Sequence, residues 1–518
     1  MLDRGRRLRS NWYDPPSCHP HLLSMTFQLT TQSTQTNCLT EFFPSAALDR
    51  ARHLDAHLQR TGSPIGPLHG LPISLKDTFR LPGLDSSIGI ASLAFHPSTS
   101  PSTLVSALEQ AGAVLYCKTN VPQTLMALDS HNNVFGRTWN PRNKAVTAGG
   151  SSGGEGALVA LRGSPLGVGT DVGGSIRIPA MCNGLYGVKG SWQRVPYQNQ
   201  ENGTLPGSSK LGLPASAGPI ATSLRDCELF FNAVAAQRPW EIDADVAPLP
   251  WTPSPSAGLG NSGSSGGLTI GVVRTDGLIT PLPPIAKLID ETATALQAAG
   301  VKVVELDIQP LFSQCQTLAN ALFGIDGAQH MFSLLEKTGE PLSPWLATRL
   351  KKKKGLSTEK VRELHARRVE MEREWLKIWR GEYGQGSAGG KGGQRIDAFV
   401  CPVAPHPVPP VDRWNGVSYT SSFVLLDYPA GTLPVRDVRP ADIKVEIPAD
   451  AGEPLGSWDK VNRELWTKVD RSVYLGTPLC VQVVAPKLME EKLVRAMGVV
   501  EEAVKSQGVG GGRERAVL

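Results

Sequence analysis

The sequence has little of what membrane-spanning, nucleic-acid-binding and disulfide-stabilised proteins need. None of its 518 residues belongs to an apolar run of about 18 residues, which excludes a conventional transmembrane helix. The 52 basic and 47 acidic residues nearly cancel, so no nucleic-acid partner is expected. The eight cysteines are scattered without a Cys-x-x-Cys pair, which is typical of reduced thiols and predicts a cytoplasmic protein.

Metal and cofactor sites are not expected either. The cysteines and histidines form no cluster typical of a metal site. Gly167 and Gly169 lie in a glycine-rich stretch, but the residues after them have the wrong spacing for a dinucleotide-binding loop. The chemistry is therefore expected to come from side chains and backbone groups alone.

Helical and strand patterns alternate along the chain. Apolar residues at helical spacing over 104–111 are followed by Gly112 and a strand pattern at 113–117. The same order returns at 285–306, with Gly300 between helix and strand. This alternation predicts an α/β fold. Further helices are expected over 36–58, 357–380 and 489–505, and further strands at 71–76, 398–403 and 479–484.

The chain is predicted to form one large domain with flexible additions. Glycine- and serine-rich segments at 253–267 and 381–393 predict flexible insertions. We expect a disordered leader at 1–36, a single domain over 37–505 and a disordered tail at 506–518.

Two serines stand in glycine-rich turns 24 residues apart. Ser151 lies in the sequence GGSSGG, and Ser175 follows Gly173 and Gly174. Glycine permits sharp turns and close approach of a ligand to the backbone. Such turns suit acyl transfer, because a single loop supplies both a nucleophile and N–H groups for an oxyanion.

Short motifs offer competing interpretations of these serines. Residues 149–153 match Gly-x-Ser-x-Gly, the nucleophile elbow of α/β-hydrolases, which would make Ser151 the nucleophile. That elbow needs a preceding strand and a downstream histidine, but 140–148 reads as a polar loop. The histidines after Ser151 are His330, His365 and His406, and none is in a favourable context.

A β-lactamase-like arrangement is a weaker alternative. Ser357 and Lys360 match Ser-x-x-K, and 337–339 matches Lys-Thr-Gly, but the order of the two motifs is reversed. A serine that caps a helix explains Ser357 better.

Lys76 is the candidate base. Leu71, Ile73 and Leu75 alternate as in a strand and place Lys76 at its end. Burial beside an apolar strand would lower the pKa of a lysine toward that of a usable base. Because no histidine suits Ser175, a Ser–Lys arrangement is the available alternative.

The segment at 148–180 resembles the signature of the amidase signature family. It reads AGGSSGGEGALVALRGSPLGVGTDVGGSIRIPA and has the family's spacing throughout. The resemblance extends over roughly 37–505. Within it, TNCLTE at 36–41 and PVAPHP at 402–407 are similar to the fungal acetamidase-like subgroup. Other matching segments are GPLHGLPISLKD at 66–77, KTNVPQ at 118–123, SAGPI at 216–220 and CPVAP at 401–405.

The resemblance implies an amidase signature fold, a mixed twisted sheet covered by helices on both faces. It implies hydrolysis of a small-molecule amide to a carboxylate and ammonia or an amine, without a cofactor, through an acyl-enzyme. Carried onto this sequence, the family triad consists of Ser175 as nucleophile, Ser151 as a bridge preceded by a cis peptide bond, and Lys76 as base.

The resemblance also assigns the surroundings of the triad. It places the oxyanion hole at the N–H groups of Val172, Gly173, Gly174 and Ser175, and a substrate contact at the backbone of Leu125. Residues expected to support the site structurally are Ser152, Thr170, Asp171 and Arg177, the last two as an ion pair.

Two departures from the family pattern leave alternatives open. Residues 190–192 read Gly-Ser-Trp where the family usually has a Pro-Thr-x-Gly turn, and 1–35 do not resemble the family's first helices. An amidotransferase subunit that delivers ammonia to a partner, or an impaired binding protein, would share much of the sequence. The C-terminal segments argue against an amidotransferase subunit, and the complete triad argues against an impaired binding protein. Whether the chain forms a homodimer is left open.

Overall fold

The computed structural model describes residues 35–205, 207–252, 267–382, 393–414 and 416–509. The predicted leader, the two predicted insertions and the predicted tail lie largely outside these residues. The last helix ends at Ser506, the position where the tail was predicted to begin.

A single large sheet carries the described part of the chain. It has 11 strands. The strands in chain order are β1 Leu39–Phe42, β2 Pro72–Lys76, β3 Val114–Thr119, β4 Leu166–Asp171, β5 Tyr186–Lys189, β6 Ser216–Ala221, β7 Thr269–Val272, β8 Lys302–Glu305, β9 Ala398–Pro402, β10 Ala430–Asp437 and β11 Pro478–Val484. A separate two-stranded hairpin joins His131–Asn132 to Gly136–Arg137.

The sheet is mixed. Its spatial order is β1-β3-β2-β4-β6-β5-β10-β11-β9-β7-β8. The neighbours β3, β2 and β4 are parallel, as are β9, β7 and β8 at the other end. The strands between these groups pair antiparallel. The predicted α/β class is confirmed.

Helices flank the sheet. In chain order they are α1 Pro44–Thr61, α2 Thr103–Gln110, α3 Gly153–Ala160, α4 Arg177–Asn183, α5 Ser208–Leu211, α6 Leu224–Ala236, α7 Pro283–Ala298, α8 Gln309–Phe323, α9 Gln329–Glu336, α10 Pro344–Ala347, α11 Thr358–Trp379, α12 Ser418–Leu425, α13 Ser457–Thr467 and α14 Glu490–Ser506. No helix among the described residues combines the length and the hydropathy of a membrane span.

Both faces of the sheet are buried under helices, as β9 illustrates. Successive side chains of a strand point to opposite faces. Ala398 and Val400 join an apolar cluster that includes residues of α7 and α14. Phe399 and Cys401 join a second cluster with residues of α8, α11 and α12. A strand that is buried on both sides reads as a continuous apolar run, which is why 398–403 was recognisable as a strand.

One expected helix begins later than predicted. The pattern at 36–58 predicted a continuous helix, but Leu39–Phe42 forms the edge strand β1, and α1 begins at Pro44. β1 pairs antiparallel with β3 through Phe42 and Cys117, a contact that no local pattern reveals. Proline fits the first turn of a helix, because its missing N–H would have no helical partner there.

Candidate active site

The ends of two parallel strands place the lysine beside the serine loops. β2 and β4 are parallel neighbours, with Leu75 opposite Val168. Parallel strands end at the same edge of a sheet. Lys76, the last residue of β2, therefore lies beside Thr170 near the end of β4.

Close packing fixes the turn that carries Ser151. The peptide bond between Gly150 and Ser151 is cis. A Cβ at position 150 would lie 2.6 Å from the carbonyl oxygen of Ala127, so only glycine fits there. The side chain of Asn183, at the end of α4, donates a hydrogen bond to the carbonyl of Ala148 at 2.9 Å. The two serine-bearing segments are thus held together.

The turn that carries Ser175 connects β4 to α4. Gly174 has a φ of +128°, and a Cβ there would lie 2.6 Å from Thr420 Oγ1. The Thr420 hydroxyl instead donates a hydrogen bond to the carbonyl of Gly173 at 2.6 Å. α12, which carries Thr420, therefore fixes the path of this turn.

Lys76 is fully buried and contacts the first serine directly. Its Nζ lies 2.8 Å from Ser151 Oγ and 2.8 Å from Thr170 Oγ1, within hydrogen-bonding distance of both. Burial lowers the pKa of Lys76 to about 7, although the charges of Asp171 and Glu155 act to raise it. A neutral amine, which a proton relay requires, is therefore accessible near neutral pH.

Ser175 and Ser151 share one cavity. It measures about 330 Å³ and is also lined by Leu125, Thr170 and Val172. In the described part of the chain no hydrogen bond joins the Ser175 and Ser151 hydroxyls, whereas the hydroxyl of Ser151 is bonded to Lys76. In free enzymes catalytic hydrogen bonds are often incomplete and form when substrate binds.

Ser152 links the two serine turns through its backbone. Its N–H donates to the carbonyl of Ser175 at 3.2 Å, and its hydroxyl lies 3.4 Å from both backbone polar atoms of Thr170. The side chain is fully buried and does not line the cavity with Ser151. Thr170 supports the site from the other side, because its hydroxyl holds Lys76 Nζ.

Asp171 and Arg177 form a fully buried ion pair beneath the nucleophile turn. Arg177 Nε lies 2.9 Å from Asp171 Oδ2, and Arg177 Nη2 lies 3.0 Å from Oδ1. The carboxylate also accepts the N–H groups of Gly174 at 2.7 Å and Ile176 at 3.2 Å. Burial acts to raise the pKa of Asp171, but Arg177 and these donors hold it below its ordinary value.

Breaking this pair should destabilise the protein strongly. We expect Asp171→Asn to lower the free energy of unfolding by about 3–5 kcal/mol, because the buried charge of Arg177 loses its counter-ion. Asp290→Asn is the matched control, since it breaks an ion pair with Arg274 in which both side chains are exposed. The control should lose less than about 1 kcal/mol. Urea unfolding measures both, and equal small losses would contradict the structural role.

Of the four N–H groups that the resemblance assigns to an oxyanion hole, three donate no hydrogen bond to a described residue. Gly174 donates its N–H to Asp171, which makes this group part of the support of the turn. The N–H groups of Val172, Gly173 and Ser175 donate to no partner among the described residues. Val172 and Ser175 line the cavity, whereas Gly173 is not among the described residues that line it.

A strained turn presents Leu125 to the cavity. Thr124 and Leu125 have φ angles of +66° and +63°, which non-glycine residues seldom adopt. The preceding Gln123 is fully buried, and its side chain donates to the carbonyl of Pro341 at 3.0 Å and accepts the N–H of Ser343 at 2.8 Å. The segment after α9 therefore holds this turn, a contact that sequence reasoning missed.

Glu155 is a second group that sequence reasoning did not single out. It is fully buried in the first turn of α3 and accepts hydrogen bonds from Ser74 Oγ at 2.6 Å and Thr119 Oγ1 at 2.8 Å. Burial raises the pKa of Glu155 to about 8. The sequence did carry a signal for Glu155, which stands among the glycines and alanines at the start of a helix. Small residues of this kind pack closely and bury their neighbours, and a buried carboxyl group needs hydrogen-bond partners.

The competing motifs do not assemble into sites. The residues before Gly149 form a loop, so the strand that a nucleophile elbow needs is missing, and no histidine is among the described residues that line the cavity. His406 is buried against Trp414. The Ser357 hydroxyl accepts the N–H of Lys360 and caps α11, as predicted.

The departure at 190–192 is directed away from the cavity. The N–H of Ser191 donates to Glu490 at 2.8 Å, and its hydroxyl accepts the N–H of Leu488 at 2.8 Å. This loop therefore packs against the start of α14. No residue of 190–192 is among the described residues that line the cavity.

Comparison with known proteins identifies the family. The model of the family described as Amidase matches residues 22–494. The chain belongs to the amidase family. This amidase is 37% identical to an acetamidase of Emericella nidulans over 475 residues, covering 91% of this chain and 83% of the relative. It is 34% identical to an acetamidase of Aspergillus oryzae, with the same two coverages, 91% and 83%.

The fold comparison agrees. A solved structure described as a fatty acid amide hydrolase superposes on this amidase with a TM-score of 0.81 and 28% identity, covering 94% of this chain and 82% of that chain. The sheet flanked by helices is therefore the fold of amidase signature enzymes. The amidase is a hydrolase that acts on carbon–nitrogen amide bonds.

Proposed function

We propose that this amidase cleaves amides through an acyl-enzyme on Ser175, with Ser151 as proton relay and Lys76 as base. The observation that carries the proposal is the 2.8 Å contact between Lys76 Nζ and Ser151 Oγ, in a cavity that also contains Ser175. The lowered pKa of Lys76, about 7, supports its role, because a neutral amine accepts a proton.

The first half-reaction forms the ester. Ser175 Oγ attacks the amide carbonyl while its proton passes to Ser151 Oγ, whose own proton passes to Lys76 Nζ. The relay returns that proton to the amide nitrogen as the carbon–nitrogen bond breaks, which releases ammonia or an amine. No charge then remains on the leaving group, whose expulsion as an anion would be far more costly.

The second half-reaction reverses these roles. Water attacks the ester carbon as the relay removes its proton, and the bond to Ser175 Oγ breaks. The relay returns that proton to Ser175 Oγ, and the product leaves as a carboxylic acid, which loses its remaining proton to water and becomes the carboxylate. In both steps the N–H groups of Val172, Gly173 and Ser175 donate to the developing oxyanion, and loss of one such donor typically slows a reaction by about 10²–10³-fold.

Covalent trapping tests the assignment of the nucleophile. A fluorophosphonate probe should add to wild-type protein once, with fluoride as leaving group, and mass analysis of digests should place the adduct on the peptide that contains Ser175. Ser175→Ala should abolish the adduct. Labelling that survives Ser175→Ala but not Ser151→Ala would overturn the proposal and restore the elbow interpretation.

We also propose that the enzyme works in a reducing compartment such as the cytoplasm. Seven cysteines lie in the described part of the chain, where all are buried and no disulfide joins any of them. Burial raises the pKa of Cys38 to about 11 and that of Cys401 to about 12, so these thiols are unreactive. Free thiols are typical of cytosolic proteins.

A further inference from the structure

We infer that the preferred substrates are amides with an apolar substituent of roughly five to seven carbons, rather than acetamide itself. This inference rests on the proposed function, because it concerns what fits beside Ser175. It follows from the volume of the cavity, the chemistry of its walls and the exposed leucines at its mouth.

The cavity is much larger than a small amide. Its volume is about 330 Å³. At about 30 Å³ for each non-hydrogen group, the share of one water molecule in the liquid, it holds roughly ten such groups. Acetamide would occupy less than about half of this space and would leave apolar walls in contact with water.

The walls are apolar where the substituent would lie. Leu213, Leu322 and Met331 line the cavity and are at least nine-tenths buried. Phe323 reaches the nucleophile turn, since a Cβ on Gly173 would lie 3.0 Å from its Cζ. An apolar group attached next to the reacting carbonyl would therefore meet a hydrocarbon surface at once.

The cavity offers little to a charged substituent. Among the described residues that line it, Asp326 is the one that carries a charge, and its side chain is exposed. No basic residue of the described lining is available to pair with an anionic substrate. An ionised group moved into this cavity would lose hydration without gaining a partner.

The mouth of the cavity has the same character. Leu211 and Leu356 line it, yet 56% and 39% of their surfaces are exposed. Exposed apolar side chains at the rim of a cavity are typical of a site that an apolar ligand covers. A chain that extends from Ser175 toward the solvent would bury both.

A substrate series tests the inference. We expect kcat/KM of wild-type enzyme for hexanamide to exceed that for acetamide by on the order of 100-fold, since each buried methylene favours binding. N-hexylacetamide, assayed by release of hexylamine, shows whether the cavity takes the substituent on nitrogen instead. Equal or higher kcat/KM for acetamide than for both hexyl compounds would overturn the inference and leave amide hydrolysis intact.

A matched pair of variants tests the cavity itself. Val361 lines the cavity from the start of α11, and Val369 lies on the same helix with 45% of its surface exposed. Val361→Trp should lower kcat/KM for the preferred hexyl substrate at least tenfold more than it lowers kcat/KM for acetamide, and its circular dichroism spectrum should match that of wild type. Val369→Trp should change neither value.

Two outcomes have different meanings. If Val361→Trp affects large and small amides equally, the cavity does not hold the substituent, and the inference fails. If wild-type enzyme hydrolyses no amide and Ser175 is not labelled by the fluorophosphonate probe, the proposed function fails instead.

Discussion

Ser175→Ala should lower kcat/KM for amide hydrolysis by on the order of 10⁵–10⁶-fold, the loss expected when a covalent nucleophile is removed. The variant should still bind substrate, because the backbone N–H groups of Val172, Gly173 and the residue at 175 remain. Initial rates of ammonia release at amide concentrations well below KM measure the loss. Ser151→Ala should lose less, about 10²–10⁴-fold, because it removes a proton relay and leaves the attacking oxygen in place.

Ser152→Ala is the matched control for this prediction. It removes a hydroxyl from the same turn, but the hydrogen bonds of that hydroxyl to described residues are with the backbone of Thr170, and Ser152 does not line the cavity. We expect its kcat/KM to stay within about tenfold of wild type, with a modest loss of stability from the hydrogen bonds that are lost. A Ser175→Ala variant as active as Ser152→Ala would contradict the role of Ser175.

The sequence was informative about the fold where local pattern and burial agree. The strands expected at 71–76, 398–403 and 479–484 are β2, β9 and β11, whose apolar residues are buried on both faces. β6 and β10 were not predicted, because their sequences contain glycine and proline, which are typical of turns. Neighbouring strands on both sides stabilise them, and this stabilisation is not encoded locally.

In the site, too, local features could be predicted from the sequence and long-range contacts could not. Lys76 could be nominated from its strand and the missing histidine, because both are local observations. Nothing local indicates that Thr420 would hold the carbonyl of Gly173, or that Gln123 would tie the Leu125 turn to Pro341, since these contacts span 247 and 218 residues. The engagement of Gly174 N–H by Asp171 likewise needed the fold, because it depends on how the turn is oriented.

Removing the amine of Lys76 should lower kcat/KM by about 10²–10⁴-fold and change its dependence on pH. The ammonium form has no lone pair, and the pKa of Lys76 is about 7. Activity of the wild type should therefore fall about tenfold per pH unit below pH 7 and level off above it. This fall below pH 7 is the acidic limb of the pH–rate profile. Lys76→Met, which keeps much of the buried aliphatic side chain, and Lys76→Ala should both show a residual rate that lacks the acidic limb.

Glu155 is the control that assigns the limb to Lys76. It titrates in the same region, with a pKa of about 8, and its charge acts to raise the pKa of Lys76. With a pKa of about 8, Glu155 carries only a small part of its negative charge at pH 7, so Glu155→Gln should lower the pKa of Lys76 slightly and move the low-pH fall in activity by a fraction of a pH unit to lower pH. It should not move upward. A limb that persists in Lys76→Met but disappears in Glu155→Gln would identify the glutamate, and not the lysine, as the group whose deprotonation activates the enzyme.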